Sequence, residues 1–107
     1  MSFKNIPLGN PEIFNVVLEI SKDSNNKYEY DEVLDVIKLD FVFKNSFQFP
    51  FNYGYIPQTL AGDGDAVDVM VLSPYPIEVG VIVEARAIGM IEMLDRGEQD
   101  NKILAIP

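Results

Sequence analysis

The chain has 107 residues and a formal net charge of −9, from 8 basic and 17 acidic side chains, and contains no Cys, His or Trp. One domain is expected over residues 1–107, with a small core. No Ser-His-Asp triad, Cys nucleophile, His- or thiolate-based zinc site or disulfide framework can be built from these residues. The acidic balance argues against a nucleic-acid partner, which needs a basic footprint. No apolar run is long enough to span a bilayer, and Met1–Asn10 lacks the layout of a signal peptide. The expectation is a cytoplasmic protein without a membrane partner.

Phe14 to Ile20 alternates with strand period, Phe14, Val16, Leu18 and Ile20 on one face and Asn15, Val17 and Glu19 on the other. Ser24-Asn25-Asn26 reads as a turn. Lys27 to Asp31 then alternates charged and aromatic residues, which puts Lys27, Glu29 and Asp31 on one face. A third strand is expected from Val36 to Phe43, with Ile37, Leu39, Phe41 and Phe43 as its apolar face. Phe47 to Pro57 is aromatic and reads as irregular, because Pro50 and Gly54 forbid a regular helix.

Gly62-Asp63-Gly64-Asp65 reads as a tight loop before a strand from Val67 to Leu72, which Ser73-Pro74-Tyr75-Pro76 breaks. Val81 to Leu94 is rich in β-branched residues and reads as a long strand, bulged or bent at Gly89. A charged loop from Asp95 to Asn101 and a last strand from Lys102 to Ile106 complete the chain. No stretch has a capped helical stripe. Short strands between turn signals predict a mainly β fold, a small barrel or sandwich. The chain stops at Pro107, directly after a strand, so the domain is expected to be incomplete on its C-terminal side or completed by another chain.

The acids are not evenly spread. Asp63, Asp65 and Asp68 fall within six residues around two glycines that allow a tight turn. The bland reading is a solvated Asp/Gly turn. The sharper one is a site for a hard cation such as Mg²⁺, Mn²⁺ or Ca²⁺. An EF-hand fails, because counting from Asp63 puts Asp68 at the glycine position and Pro74 at the final glutamate. Asp95 and Asp100 form a second acidic loop, and Asp100-Asn101-Lys102 puts a carboxylate and an ammonium on one strand face. Glu19, and Lys27 with Glu29, offer the same pairing. A carboxylate holding a metal beside an ammonium holding phosphate is a known logic for phosphoryl chemistry. Each pair alone is better read as a solvated strand face.

Five segments in order resemble the soluble family I inorganic pyrophosphatases: Glu19-Ile20, Asn26-Lys27-Tyr28-Glu29, the run Phe49 to Pro57, Asp63-Gly64-Asp65-Ala66-Val67-Asp68-Val69, and Asp95 through Pro107. The resemblance implies a five-stranded OB-like barrel whose mouth is lined by the active site. It implies Mg²⁺-dependent hydrolysis of pyrophosphate to two phosphates, with Mn²⁺ as a substitute, by a homo-oligomer. Position by position it makes Asp65, Asp68, Asp95 and Asp100 the principal metal ligands, with Asp63 contributing. Glu19 and Glu29 would hold metal through water, and Asp65 would accept the proton of the attacking water. Lys27, Lys102 and Tyr53 would hold phosphate oxygens.

The chain departs from the family pattern in four places. Phe41 stands where the family has an arginine for the leaving phosphate. Phe49 replaces a tyrosine, and Ala66 a proline. The family's C-terminal tyrosine-lysine pair and helices are absent. A second reading therefore stands beside the enzyme: a non-catalytic OB-like module that binds divalent cations.

Overall fold

The computed structural model describes residues 2–60, 65–95 and 97–107, with Asp95 and Glu98 described by their backbone alone. Among the described residues a 3₁₀ turn, Phe3–Asn5, precedes nine strands. They are β1 (Phe14–Ile20), β2 (Asn26–Asp31), β3 (Val36–Val42), β4 (Asn52–Ile56), β5 (Val67–Val71), β6 (Ile82–Ile91), β7 (Leu94–Asp95), β8 (Glu98–Gln99) and β9 (Lys102–Ile106). None of the described helices is long and apolar enough to cross a membrane.

Five strands close a barrel in the order β1-β4-β5-β9-β6, with β6 returning to pair with β1. All its pairings are antiparallel except β5 with β9, which run parallel. The mainly β, five-stranded barrel expected from the sequence is the observed fold. β2 and β3 form a separate hairpin, as do the short β7 and β8. Asp95 to Gln99, read from sequence as loop, therefore carries a small hairpin.

Alternation sets the barrel interior. Phe14, Val16 and Leu18 of β1 meet Ile56, Val69, Val71, Ala85 and Ala105 from the other four strands. Val16, Leu18, Val69, Val71 and Ala105 are fully excluded from solvent. Residues of opposite parity face outward, where Ile6, Val17 and Tyr55 form a second apolar cluster beneath Phe3, Tyr30, Ile37 and Ala66. The β2–β3 hairpin thus lies over the outer wall formed by β1 and β4.

β4 falls inside the stretch expected to be irregular. Gly54 rules out a helix, but in a strand it lets two backbones approach. A Cβ there would lie 2.3 Å from the Val17 carbonyl oxygen and 2.7 Å from Val16 Cγ1. The glycine that looked like a breaker is what admits β4 beside β1. The bend expected at Gly89 is present, as a register shift between Ala87 and Gly89 where β6 pairs with β9.

β3 differs from its expected burial. Ile37 packs on the outer cluster, but Leu39 and Phe41 are 54% and 55% exposed. The register skips Asp40, pairing Tyr28 with Leu39 and Lys27 with Phe41. That bulge breaks the alternation, so no single apolar face forms.

Candidate functional site

The expected site residues gather on the outer wall of the barrel. Core-facing residues on β1, β5 and β9 are Leu18, Val69 and Ala105. Glu19, Asp68 and Lys102 have the opposite parity and point away from it. A bulge between Leu18 and Ile20 falls at Glu19. Tyr53 and Tyr55 project from the same side of β4, and Tyr55 pairs with Asp68, which pairs with Lys102. The hairpin roofs this wall, leaving an open cleft of about 1220 Å³. The residues expected at the barrel's mouth line a cleft between barrel wall and hairpin. Strand parity explains the shift, because the barrel interior is filled with apolar side chains.

Of the residues named from sequence, Asp65, Asp68, Asp100, Glu19 and Glu29 border the cleft, as do Lys27, Tyr53 and Lys102. Asp63 lies outside the described residues. So does the side chain of Asp95, whose backbone pairs with Glu98 in the β7–β8 hairpin.

Lys102 is the electrostatic centre. Its Nζ donates to Asp68 Oδ2 at 3.1 Å and to both oxygens of Asp100 at 3.3 Å. Burial pulls the Lys102 ammonium down, but the two carboxylates outweigh it and its pKa is raised. Lys27 sits on the hairpin side and pairs with Asp40 at 3.2 Å, both groups being nearly half exposed. Such exposed pairs hold weakly, so Lys27 can exchange partners at little cost.

Glu19 lies deepest. Its Oε2 accepts a hydrogen bond from the Tyr30 backbone N–H at 2.7 Å. Burial raises its pKa to about 7, and the charges of Asp68 and Glu29 add to the rise against the lowering by that hydrogen bond. Burial also raises the Tyr53 hydroxyl, partly offset by Lys102. Tyr53 is therefore held as a neutral hydrogen-bond donor at neutral pH.

The donor set fits a hard divalent cation. Every candidate ligand is a carboxylate, and the crowding of Asp68 and Glu29 around Glu19 is repulsion that a cation would relieve. Among the described residues, no three carboxylates converge on one point. Lys102 instead draws Asp68 and Asp100 together.

Sequence reasoning did not mark Tyr30 and Tyr55 as part of this site. Their rings stack at a 5.2 Å centroid separation, and both border the cleft. Tyr30 Oη donates to Asp35 Oδ1 at 2.7 Å, and the Phe3 backbone N–H donates to the same oxygen at 3.1 Å. The available signal was parity: Tyr55 lies two residues from Tyr53 on the same strand face.

The sequence profile of inorganic pyrophosphatase matches residues 16–107. The chain belongs to the inorganic pyrophosphatase family. It is 52% identical over 97 residues to an inorganic pyrophosphatase of Saccharolobus solfataricus, covering 91% of this chain and 56% of that protein. It is 47% identical over 98 residues to soluble inorganic pyrophosphatase 1 of Arabidopsis thaliana, covering 92% of this chain and 46% of the relative. The crystal structure of the inorganic pyrophosphatase from Thermus thermophilus superposes with a TM-score of 0.92 at 44% identity, covering 99% of this chain and 62% of that one. The chain thus spans about half the length of these two sequence relatives. Its fold is shared with that of the Thermus thermophilus protein over nearly the whole of this chain.

Proposed function

We propose that this cleft is the site of Mg²⁺-dependent hydrolysis of pyrophosphate to two phosphates. The observation that carries the reading is that Lys27, Lys102 and the Tyr53 hydroxyl share one cleft with Glu19, Glu29, Asp65, Asp68 and Asp100. A purely acidic cleft would repel pyrophosphate, and a purely basic one would not need a metal.

Asp65, Asp68 and Asp100 would hold Mg²⁺ or Mn²⁺ directly, together with Asp63 and Asp95, and Glu19 and Glu29 through water. Such an ion, when bound, supplies charge cancellation and lowers the pKa of a nucleophilic water. Asp65, on the exposed rim of the cleft, accepts the proton of the attacking water. Lys102 moves from Asp68 and Asp100 to a phosphoryl oxygen once those carboxylates are engaged elsewhere. Lys27 leaves Asp40 for the second phosphoryl group, and Tyr53 donates its hydroxyl to the same anion. No step needs His or Cys, in keeping with a chain that has neither.

Phe41 offers no charge to the leaving phosphate, and a lost charge-assisted bond to phosphate is worth about 1.5–3 kcal/mol. Turnover by this chain alone is therefore expected to be slow. A cytoplasmic homo-oligomer accords with the reading. The oligomer is supported by the exposure of Ile88, Met90 and Leu94 around β6 and β7.

The test is phosphate release from pyrophosphate with Mg²⁺, in the wild type and in Asp65→Asn. Turnover that collapses in Asp65→Asn, with the fold retained, supports the enzyme. No release above buffer at high Mg²⁺ ends the claim of catalysis by this chain. Calorimetric cation binding without release would favour the non-catalytic module.

A further inference from the structure

Beside the phosphate-facing cleft runs a continuous aromatic track. Phe49 borders the cleft and meets Tyr53 edge-on at 5.4 Å. Phe47 meets Phe49 at 5.2 Å, Phe43 meets Phe47 at 4.7 Å, and Phe41 meets Phe43 at 4.9 Å. The track is anchored. The Phe49 backbone N–H donates to Ser24 O at 2.8 Å, and the Asp23 N–H donates to Phe49 O at 2.7 Å. The Phe43 N–H is bonded to Asn25 O at 2.9 Å.

The outer end of the track is open. Phe41 is 55% exposed and Phe47 42% exposed, a costly way to leave large rings unless something covers them. Phe41 is also the cross-strand partner of Lys27. A cation that faces the cleft and an exposed ring therefore sit side by side on the hairpin. Two of the departures from the family pattern, Phe41 and Phe49, fall in this one track. Phe41 puts a ring in place of a guanidinium, and Phe49 keeps the ring and sheds a hydroxyl.

We propose that the track receives the base of a nucleoside diphosphate whose diphosphate lies in the cleft, making Phe41 and Phe47 specificity-determining residues. The inference rests on the reading of the cleft as a diphosphate site. Its charge pattern fits that ligand: Lys27 and Lys102 face the anionic end, and the uncharged rings face the planar, apolar-faced end. Base–aromatic stacking tolerates any base, so a purine is the natural probe.

The experiment is calorimetric titration with ADP and with methyl diphosphate, each in excess Mg²⁺. ADP is expected to bind about tenfold tighter, the size of one stacked base. Phe41→Ser, at an exposed position, should bring the ratio of the two affinities towards one, and Phe41→Trp should keep or raise it. Equal affinities in the wild type, or a ratio untouched by Phe41→Ser, overturn the proposal while leaving the diphosphate site standing. Failure of both anions to bind overturns the proposal and the diphosphate reading together.

Discussion

Glu19 and the Tyr30 backbone are joined across two separate sheets. The carboxylate on the barrel strand β1 accepts the N–H of the hairpin strand β2 at 2.7 Å. This bond ties the roof of the cleft to its wall beside the packing of Tyr30 on Tyr55. Glu19→Ala leaves a part-buried N–H without its acceptor and should cost about 1–3 kcal/mol. Glu19→Gln keeps a carbonyl acceptor and sheds a charge crowded by Asp68 and Glu29. Urea denaturation without metal should therefore place Glu19→Gln well above Glu19→Ala. Equal midpoints would refute the tethering role.

Gly54 carries a steric demand that no other residue meets. An added methyl would be 2.3 Å from a backbone oxygen, which cannot swing aside as a side chain can. Gly54→Ala must push β4 from β1, with a cost at or above the roughly 1–3 kcal/mol of ordinary overpacking. Thermal unfolding of the variant checks this. A melting point within a degree of the wild type would contradict the close approach.

Asn52 is the one buried polar side chain among the described residues. Its Oδ1 accepts from the Lys22 N–H at 2.8 Å and the Ile77 N–H at 2.9 Å, and its Nδ2 donates to Tyr75 O at 3.2 Å. It ties two loops to β4. Asn52→Ala strands both donors and should destabilise by about 2–4 kcal/mol. Amide exchange at Lys22 and Ile77 should quicken in the same variant. Unchanged protection there would show that the amide is dispensable.

High pH should loosen the hairpin. Burial, then the hydrogen bond to Asp35, raises the Tyr30 hydroxyl to about 12 from an ordinary value of 10. The raised value means that the folded state favours the protonated phenol. Its contribution is complete below pH 10 and is lost as the pH rises through about 12. Stability should fall across that window, and Tyr30→Phe should flatten the fall. Chemical denaturation at stepped pH, wild type beside variant, would expose the error if the two curves ran parallel.

Much of this architecture could be read from the order of residues, and the misreadings have specific causes. β1 was legible because Phe14, Val16, Leu18 and Ile20 recur at strand period. β4 was hidden because Gly54 reports a close contact with Val17 that exists only after folding. The apolar face of β3 was misjudged because the bulge at Asp40 is a property of the pairing with β2, not of β3 itself. The site behaved differently. The charged residues that border the cleft could be singled out as candidates by type and spacing, since chemistry restricts which side chains suit phosphoryl work. Tyr30 and Tyr55 were not, since stacked tyrosines look like ordinary strand aromatics until the hairpin is laid across the wall. The placement on the barrel's outside followed from parity, but only once Leu18, Val69 and Ala105 were known to face inward.

The parallel pairing of β5 with β9 governs the order in which the molecule can assemble. β9 is inserted between β5 and β6, although 30 residues separate the end of β5 from the start of β9. On a ribosome, β1, β4, β5 and β6 all emerge while the gap is still open. Two strand edges, including the wholly buried Val69 and Val71 of β5, then wait for a partner made last. Contacts of such long sequence separation are slow to form, and open edges are where chains stick to one another. The nascent chain is thus most vulnerable to aggregation in the interval before Lys102–Ile106 clears the exit tunnel.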